Sequence, residues 1–227
     1  MDLKQYYSNL YNASIINISK NEYDIDTLID SPDDKRFGIT LLFRPSSEVK
    51  DRINGFLKEI KKIEPFQYYY PESDIHITVL SIISCYNGFD LSHITLSDYD
   101  KLIRNSISSN TGFNIDFKGI TASSSCVMIQ GFPQNDSLKN IRNNLRNSFK
   151  KSDLEHSIDK RYEILTAHST IVRLKERLSQ AEQYISILNK YKDYDFGSFE
   201  VKELELVYND WYQRAVNSNC IKIYVLS

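Results

Sequence analysis

Apolar residues along the chain recur with two periods, and each period predicts an element. Leu3, Tyr6, Tyr7 and Leu10 fall at helical spacing, which predicts a first helix over 3–15. Residues 22–34 are acidic and close on Ser-Pro-Asp-Asp, a loop signal. The run RFGITLLF (36–43) reads as a buried strand. Pro45-Ser46-Ser47-Glu48 then opens a helix with a hydroxyl cap, and Val49, Ile53, Phe56, Leu57, Ile60 and Ile63 mark its apolar face. After QYYYP (67–71), the segment DIHITVLSII (74–83) reads as a strand, 84–97 as a loop and about 98–108 as a helix. Strands are expected at 113–120 and 125–132, followed by a helix over 137–150 with the stripe Leu138, Ile141, Leu145 and Phe149. YEILTAHSTIVRL (162–174) reads as one long strand. A helix carrying Leu178, Ala181, Tyr184, Ile185 and Leu188 follows, then strands near 198–208 and 219–226.

This order repeats. A strand at 36–43, a helix at 46–63 and a strand around His76 form one unit. A strand at 125–132, a helix at 137–150 and a strand around His168 form a second. Two such units predict an α+β fold of two lobes related by approximate duplication. No linker separates them, so 36–227 is read as one domain with intertwined lobes. Residues 1–35 are read as an N-terminal helix and acidic loop extension whose role the sequence does not supply.

Composition narrows the partners. With 227 residues the chain can bury a large core. Its 28 Lys+Arg against 30 Asp+Glu leave a net charge of -2, a poor match for a long polyanion held by bulk electrostatics. A small charged ligand, or a local basic patch, stays open. Cys85, Cys126 and Cys220 are odd in number and lack a C-x-x-C, which argues against a disulfide framework or cysteine-built zinc site and for reduced thiols in a cytoplasmic protein. Neither a signal peptide nor a membrane-spanning apolar run is expected. The sequence holds no P-loop, H-E-x-x-H, serine elbow or EF-hand, so neither a metal nor a cofactor is expected.

The histidines carry the chemistry. Of His76, His93, His156 and His168, three have Thr two residues later, although Thr fills only 8 of 227 positions. On a strand, residues i and i+2 share a face. His76 and Thr78 therefore point one way, and Ile75, Ile77 and Val79 the other. His168 and Thr170 pair in the same manner. Each pair offers an imidazole that can act as acid or base near neutral pH beside a hydroxyl that can hold a phosphoryl oxygen. His93-Ile94-Thr95 is set apart, because it precedes a predicted helix where Thr95 or Ser97 serves as a cap and His93 lies at the surface.

At HITV (76–79) and HSTI (168–171) the chain resembles the 2H phosphoesterase superfamily, which is defined by two H-x-[ST]-x motifs, one per lobe. YYYPESDI ahead of the first motif is similar to the family's lead-in, and the likeness covers about 36–226. Ser169 departs from the usual apolar residue at its position. The resemblance implies two α+β lobes with a central groove between two antiparallel sheets. It also implies metal-independent cleavage of a cyclic or a 2′-5′ or 3′-5′ linked nucleotide or short oligonucleotide. His76 and His168 would be the acid and base, Thr78 and Thr170 the phosphate ligands, and RNA ends a conceivable substrate source. Three other readings stay open: a nucleotide-binding module without catalysis, a sugar-ring isomerase using the same imidazoles, and a 2′-5′ RNA ligase. No protein partner can be read from the chain.

Two further features concern the groove. Tyr70, Trp211 and Tyr212 are candidate substrate-binding residues, since aromatic faces stack on bases. Lys139, Arg142, Arg146 and Lys150 recur along one helix as either a solvated flank or a steering patch for an anion. Strict alternation turns Arg173 away from Thr170 and so out of the site.

Overall fold

The computed structural model describes residues 2–226. Five helices and nine strands build two antiparallel sheets, the α+β arrangement expected. Helix α1 (Leu3–Ser19) is capped by Asp2, whose carboxylate accepts from the Lys4 and Gln5 N–H groups. Strand β1 (Arg36–Phe43), helix α2 (Ser47–Ile63), β2 (Tyr68–Tyr69) and β3 (Ile77–Asn87) follow. Next come α3 (Leu96–Ile107), β4 (Phe113–Ala122), β5 (Cys126–Pro133), α4 (Ser137–Lys150) and β6 (Ser169–Arg173). The chain closes with α5 (Ala181–Tyr191), β7 (Asp195–Val201), β8 (Glu203–Asp210) and β9 (Asn219–Val225). One sheet has the order β3-β1-β8-β9, the other β2-β6-β5-β4-β7.

The repeat seen in the sequence is the plan of the molecule. β1 and β3 pair antiparallel in the first sheet, and β5 and β6 pair antiparallel in the second. The helix of each unit crosses over. α2 leaves β1 but packs on β7 and α5, and α4 leaves β5 but packs on α3 and β3. Each sheet's apolar face is therefore covered partly by the other unit's helix. Phe43 of β1 meets Phe113 of β4 edge-on at 5.9 Å, and Phe56 of α2 meets Phe196 of β7 at 6.4 Å, so one continuous core spans both sheets.

Four boundaries differ from the expectation. α1 runs to Ser19 rather than stopping at 15. The first motif strand starts at Ile77 and continues through 84–87, which the sequence presents as loop; residues 72–74 form a 3-10 turn instead. The long strand expected over 162–174 is a strand only from Ser169 to Arg173, because 162–168 finds no ladder partner. The strand expected near 198–208 is two strands in different sheets, β7 and β8, parted only by Lys202 with no Gly or Pro to announce the crossing.

Gly38 shows how tightly the first sheet is drawn. It lies on β1 between β3 and β8, and a Cβ there would stand 2.2 Å from the Ile83 carbonyl oxygen. The obstacle is backbone, which cannot rotate away. Gly38→Ala is expected to destabilise the fold by about 1–3 kcal/mol. Urea denaturation checks this.

Candidate functional site

Each motif histidine stands just before a strand, where ladder bonding has not begun. His76 precedes β3, and His168 precedes β6. Alternation still holds locally: Ile75, Ile77, Ala167 and Ser169 are buried, whereas His76, Thr78, His168 and Thr170 are half-buried. All four line one groove between the sheets that is open to solvent. The structure thus brings together all four residues predicted for the chemistry.

Strict alternation ends immediately after each Thr. Leu41 pairs with Leu80 and Leu42 with Thr78, which leaves Val79 as an extra residue on β3. Val127 pairs with Val172 and Met128 with Thr170, which leaves Ile171 extra on β6. These bulges shift the phase by one residue. The side chain three places after each Thr therefore returns to the groove: Ser81 after Thr78, and Arg173 after Thr170. Arg173 is a groove residue, a correction to the reading from alternation. The two apolar residues in a row after each Thr, Val79-Leu80 and Ile171-Val172, are the trace of this in the sequence.

The imidazoles are held through their Nδ1 atoms. His76 Nδ1 lies 2.7 Å from the Asp74 carbonyl oxygen. A carbonyl only accepts, so Nδ1 carries the proton and Nε2 is left as the free ring nitrogen. His168 Nδ1 lies 2.7 Å from the Thr166 hydroxyl, which can donate or accept. Burial lowers the pKa of both imidazoles, each to about 4. The secondary influences differ. The Asp74 carbonyl bond raises the value at His76, whereas the charges of Arg142, His76 and Arg173 all lower it at His168.

Arg142 joins the two motifs. It is 3% exposed, and among the described residues it pairs with no carboxylate. Its Nε donates to the Val79 carbonyl at 2.8 Å, and its Nη2 to the carbonyls of Thr78 at 2.9 Å and Thr166 at 2.8 Å. Burial lowers its pKa to about 10, so it stays charged at neutral pH. The helix stripe is thus neither a solvated flank nor a steering patch at this position, since the apolar face of α4 carries Arg142 into the interior. Arg146 is likewise engaged, with Asp159 at 2.6 Å and the Ile164 carbonyl at 3.1 Å.

The aromatic candidates divide. Trp211 is half-buried at the groove, with the Arg36 guanidinium carbon 4.3 Å and that of Arg161 4.5 Å from its ring centre. Tyr70 and Tyr212 border the groove but are 2% and 1% exposed, and their hydroxyls are taken up by protein. Arg173 Nε donates to the Tyr70 oxygen at 2.9 Å, and Tyr212 donates to Asp26 at 2.8 Å. Asp26 also pairs with Arg173 at 3.3 Å. Both tyrosines thus back the guanidinium that reaches the groove. His93 is exposed in a 3-10 turn away from it. Among the described residues, no three His, Cys, Asp or Glu side chains converge to hold a metal ion, and no helix is long and apolar enough to cross a membrane.

A family model described as the AKAP7 2′5′ RNA ligase-like domain matches residues 41–213. The chain belongs to this family. It is therefore a member of the 2H phosphoesterase, LigT-like superfamily that the paired motifs resemble. Solved structures share the fold at low identity. TT0787 of Thermus thermophilus matches with TM-score 0.59 and 14% identity, over 84% of this chain and 97% of its own. Escherichia coli LigT complexed with 3′-AMP matches with TM-score 0.58 and 14% identity, over 85% and 99%. ATU0111 of Agrobacterium tumefaciens matches with TM-score 0.56 and 12% identity, over 93% and 97%. No curated protein matches significantly in sequence.

This geometry has two measurable consequences. Arg142→Met removes the shared donor of three backbone carbonyls, two of these bonds buried, and should destabilise the fold by about 3 kcal/mol or more, with Arg142→Lys recovering part. Chemical denaturation measures both. The second concerns pH. The unfolded chain protonates these two histidines near 6.5, the folded chain only near 4. Between those values the unfolded state binds more protons, so their contribution to stability is lost as pH falls from about 6.5. Melting temperature should drop on acidification, and less steeply in His76→Asn and His168→Asn.

Proposed function

We propose that this 2H phosphoesterase-family protein cleaves a small nucleotide phosphodiester, cyclic or 2′-5′ or 3′-5′ linked, with His76 and His168 as its acid–base pair. The supporting observation is the convergence of both His-x-Thr motifs on one groove, with two Nδ1-anchored imidazoles beside two threonine hydroxyls. The nucleotide complexes of E. coli LigT, with ATP, 3′-AMP and NADP+, support a nucleotide as ligand class.

In a singly protonated groove the proton belongs on His76. Its Nδ1–H is stabilised by the Asp74 carbonyl, while Arg44 and Arg173 oppose a cation there much as Arg142 and Arg173 do at His168. His168 Nε2 then takes a proton from water as the water oxygen bonds to phosphorus. His76 Nε2–H gives its proton to the ribose oxygen as the P–O bond breaks. A 2′,3′-cyclic nucleotide plus water yields one nucleoside monophosphate, and the two imidazoles exchange roles until solvent resets them. Thr78 and Thr170 hold the non-bridging oxygens. Arg173 compensates the added charge of the pentavalent state. Trp211 offers a ring face to the base once Arg161, an exposed side chain, moves off it. Three free cysteines support a reducing, cytoplasmic setting.

Ligation is the second reading, favoured by the family's description as 2′5′ RNA ligase-like. It would be the same exchange run between two ribose hydroxyls rather than with water.

Hydrolysis of 2′,3′-cyclic mononucleotides, 2′-5′ adenylates and cyclic di- and trinucleotides, assayed in EDTA, tests the proposal. One class should turn over, and His76→Ala and His168→Ala should each lower the rate by about 10²–10⁴-fold. Silence across the panel, or turnover untouched in either variant, overturns it. With both free imidazoles near 4, the singly protonated form becomes scarcer as pH rises. Thus kcat/KM should climb as pH is lowered from 8 towards 5. A bound phosphodiester anion raises both imidazole values, so the kcat optimum should lie at higher pH.

A further inference from the structure

The β5–β6 ladder ends in an unusual way. Met128 pairs with Thr170 and Ile129 with Ser169, so the same register sets Gly131 opposite Ala167, the residue before His168. No strand bond joins them. A tyrosine hydroxyl stands in its place. The Ala167 N–H donates to Tyr7 Oη at 3.2 Å, and the Tyr7 hydroxyl donates to the Gly131 carbonyl at 3.3 Å. Tyr7 comes from α1, which lies outside the region matched by the family model.

The insertion is built rather than incidental. Tyr7 is 0% exposed, and its ring meets Phe132 edge-on at 5.5 Å. Its own carbonyl accepts from the Thr121 hydroxyl at 2.9 Å, and further along the helix the Ser14 hydroxyl donates to the Ala122 carbonyl at 2.8 Å. α1 is thus fastened along β4 at two levels. Gly131 leaves no room for adjustment, because a Cβ there would stand 2.0 Å from the Ala167 carbonyl oxygen. Burial raises the Tyr7 pKa to about 12, so the phenol stays protonated and keeps both of its bonds.

The segment 162–168 has no ladder of its own. Side chains hold it at three successive points: Arg146 at Ile164, Arg142 at Thr166 and Tyr7 at Ala167. Tyr7 grips the Thr166–Ala167 peptide, whose carbonyl Arg142 also holds, one residue before His168. We infer that Tyr7 is a positioning residue for His168, and that the N-terminal helix therefore completes the groove. This inference rests on the acid–base role proposed for His168.

The test compares two hydroxyl deletions in one helix. Tyr7→Phe removes the hydroxyl between Ala167 and Gly131. Tyr11→Phe removes a hydroxyl that donates to Asn189 at 2.8 Å and serves no part of the groove. Both should lower the melting temperature, Tyr7→Phe by more, because it leaves two buried backbone groups unpaired. In Tyr7→Phe, kcat should fall about tenfold with KM within twofold, as expected for a displaced catalytic group. In Tyr11→Phe both constants should match wild type. Ligand-free His ring signals in ¹H–¹⁵N NMR supply a readout independent of turnover. The His168 signals should move in Tyr7→Phe and stay in place in Tyr11→Phe, with His76 unmoved in both. Unmoved His168 signals in Tyr7→Phe, or equal kcat loss in the two variants, overturn the positioning role. If no phosphodiester turns over in wild type, the proposed activity fails, while the NMR comparison still decides whether Tyr7 positions His168.

Discussion

Everything in the groove depends on one buried guanidinium. Arg142 bonds to the carbonyls of Thr78 and Val79 on one side and of Thr166 on the other. The two motifs belong to different sheets, and no strand pairing joins those sheets. This tie adds fixed polar geometry at the motifs themselves to the apolar packing and to the Tyr212–Asp26–Arg173 link between the sheets. A planar fork with five donors can satisfy three carbonyls at fixed angles, whereas an ammonium cannot reproduce that geometry. Among the described residues no carboxylate pairs with the charge, and it disfavours a proton on His168.

The second constraint is that the histidines stand outside the ladders. A strand residue is held by its ladder bonds and has little freedom to aim. Starting β3 at Ile77 and β6 at Ser169 frees the preceding peptide, and side chains then set its position. At His76 a 3-10 turn presents the Asp74 carbonyl, with the turn pinned by the Ala215 N–H to the Asp74 carboxylate at 3.0 Å. At His168 the same task falls to Thr166, Arg142 and Tyr7. The two halves of the repeat reach the same imidazole placement by different means, which is why one Nδ1 meets a carbonyl and the other a hydroxyl.

The local part of this design is legible in the sequence, and the long-range part is not. Paired His-x-Thr motifs on matching strands identified the four central residues, and apolar periodicity located the helices. Alternation failed at Arg173 because a bulge is a property of two paired strands, and only the doubled apolar residues after each Thr hint at it. The strand predicted over 162–168 has a suitable pattern, but the ladder it needs is interrupted by Tyr7, some 160 residues earlier in the chain. Arg142 looked like a surface charge because its helix carries three similar neighbours. What distinguishes it is the position of β3 beneath α4, which no local window contains. The crossing at Lys202 left no mark either, since extended chain can change sheets without a turn.

The electrostatics of the groove explain why such support is needed. Both imidazoles are neutral when the groove is empty, because burial and surrounding cations oppose protonation. A neutral pair cannot supply an acid. On the proposed activity, an entering phosphodiester would change the balance by placing a negative charge between the two rings, where low dielectric makes it count most. On that reading the anion recruits the proton that its own cleavage requires. This works only while both rings stay within reach of the same phosphate, since the stabilisation falls with distance. On that reading the imidazoles must be fixed before the substrate arrives, and the buried hydrogen bonds of Arg142 and Tyr7 are placed to do so from behind the strands.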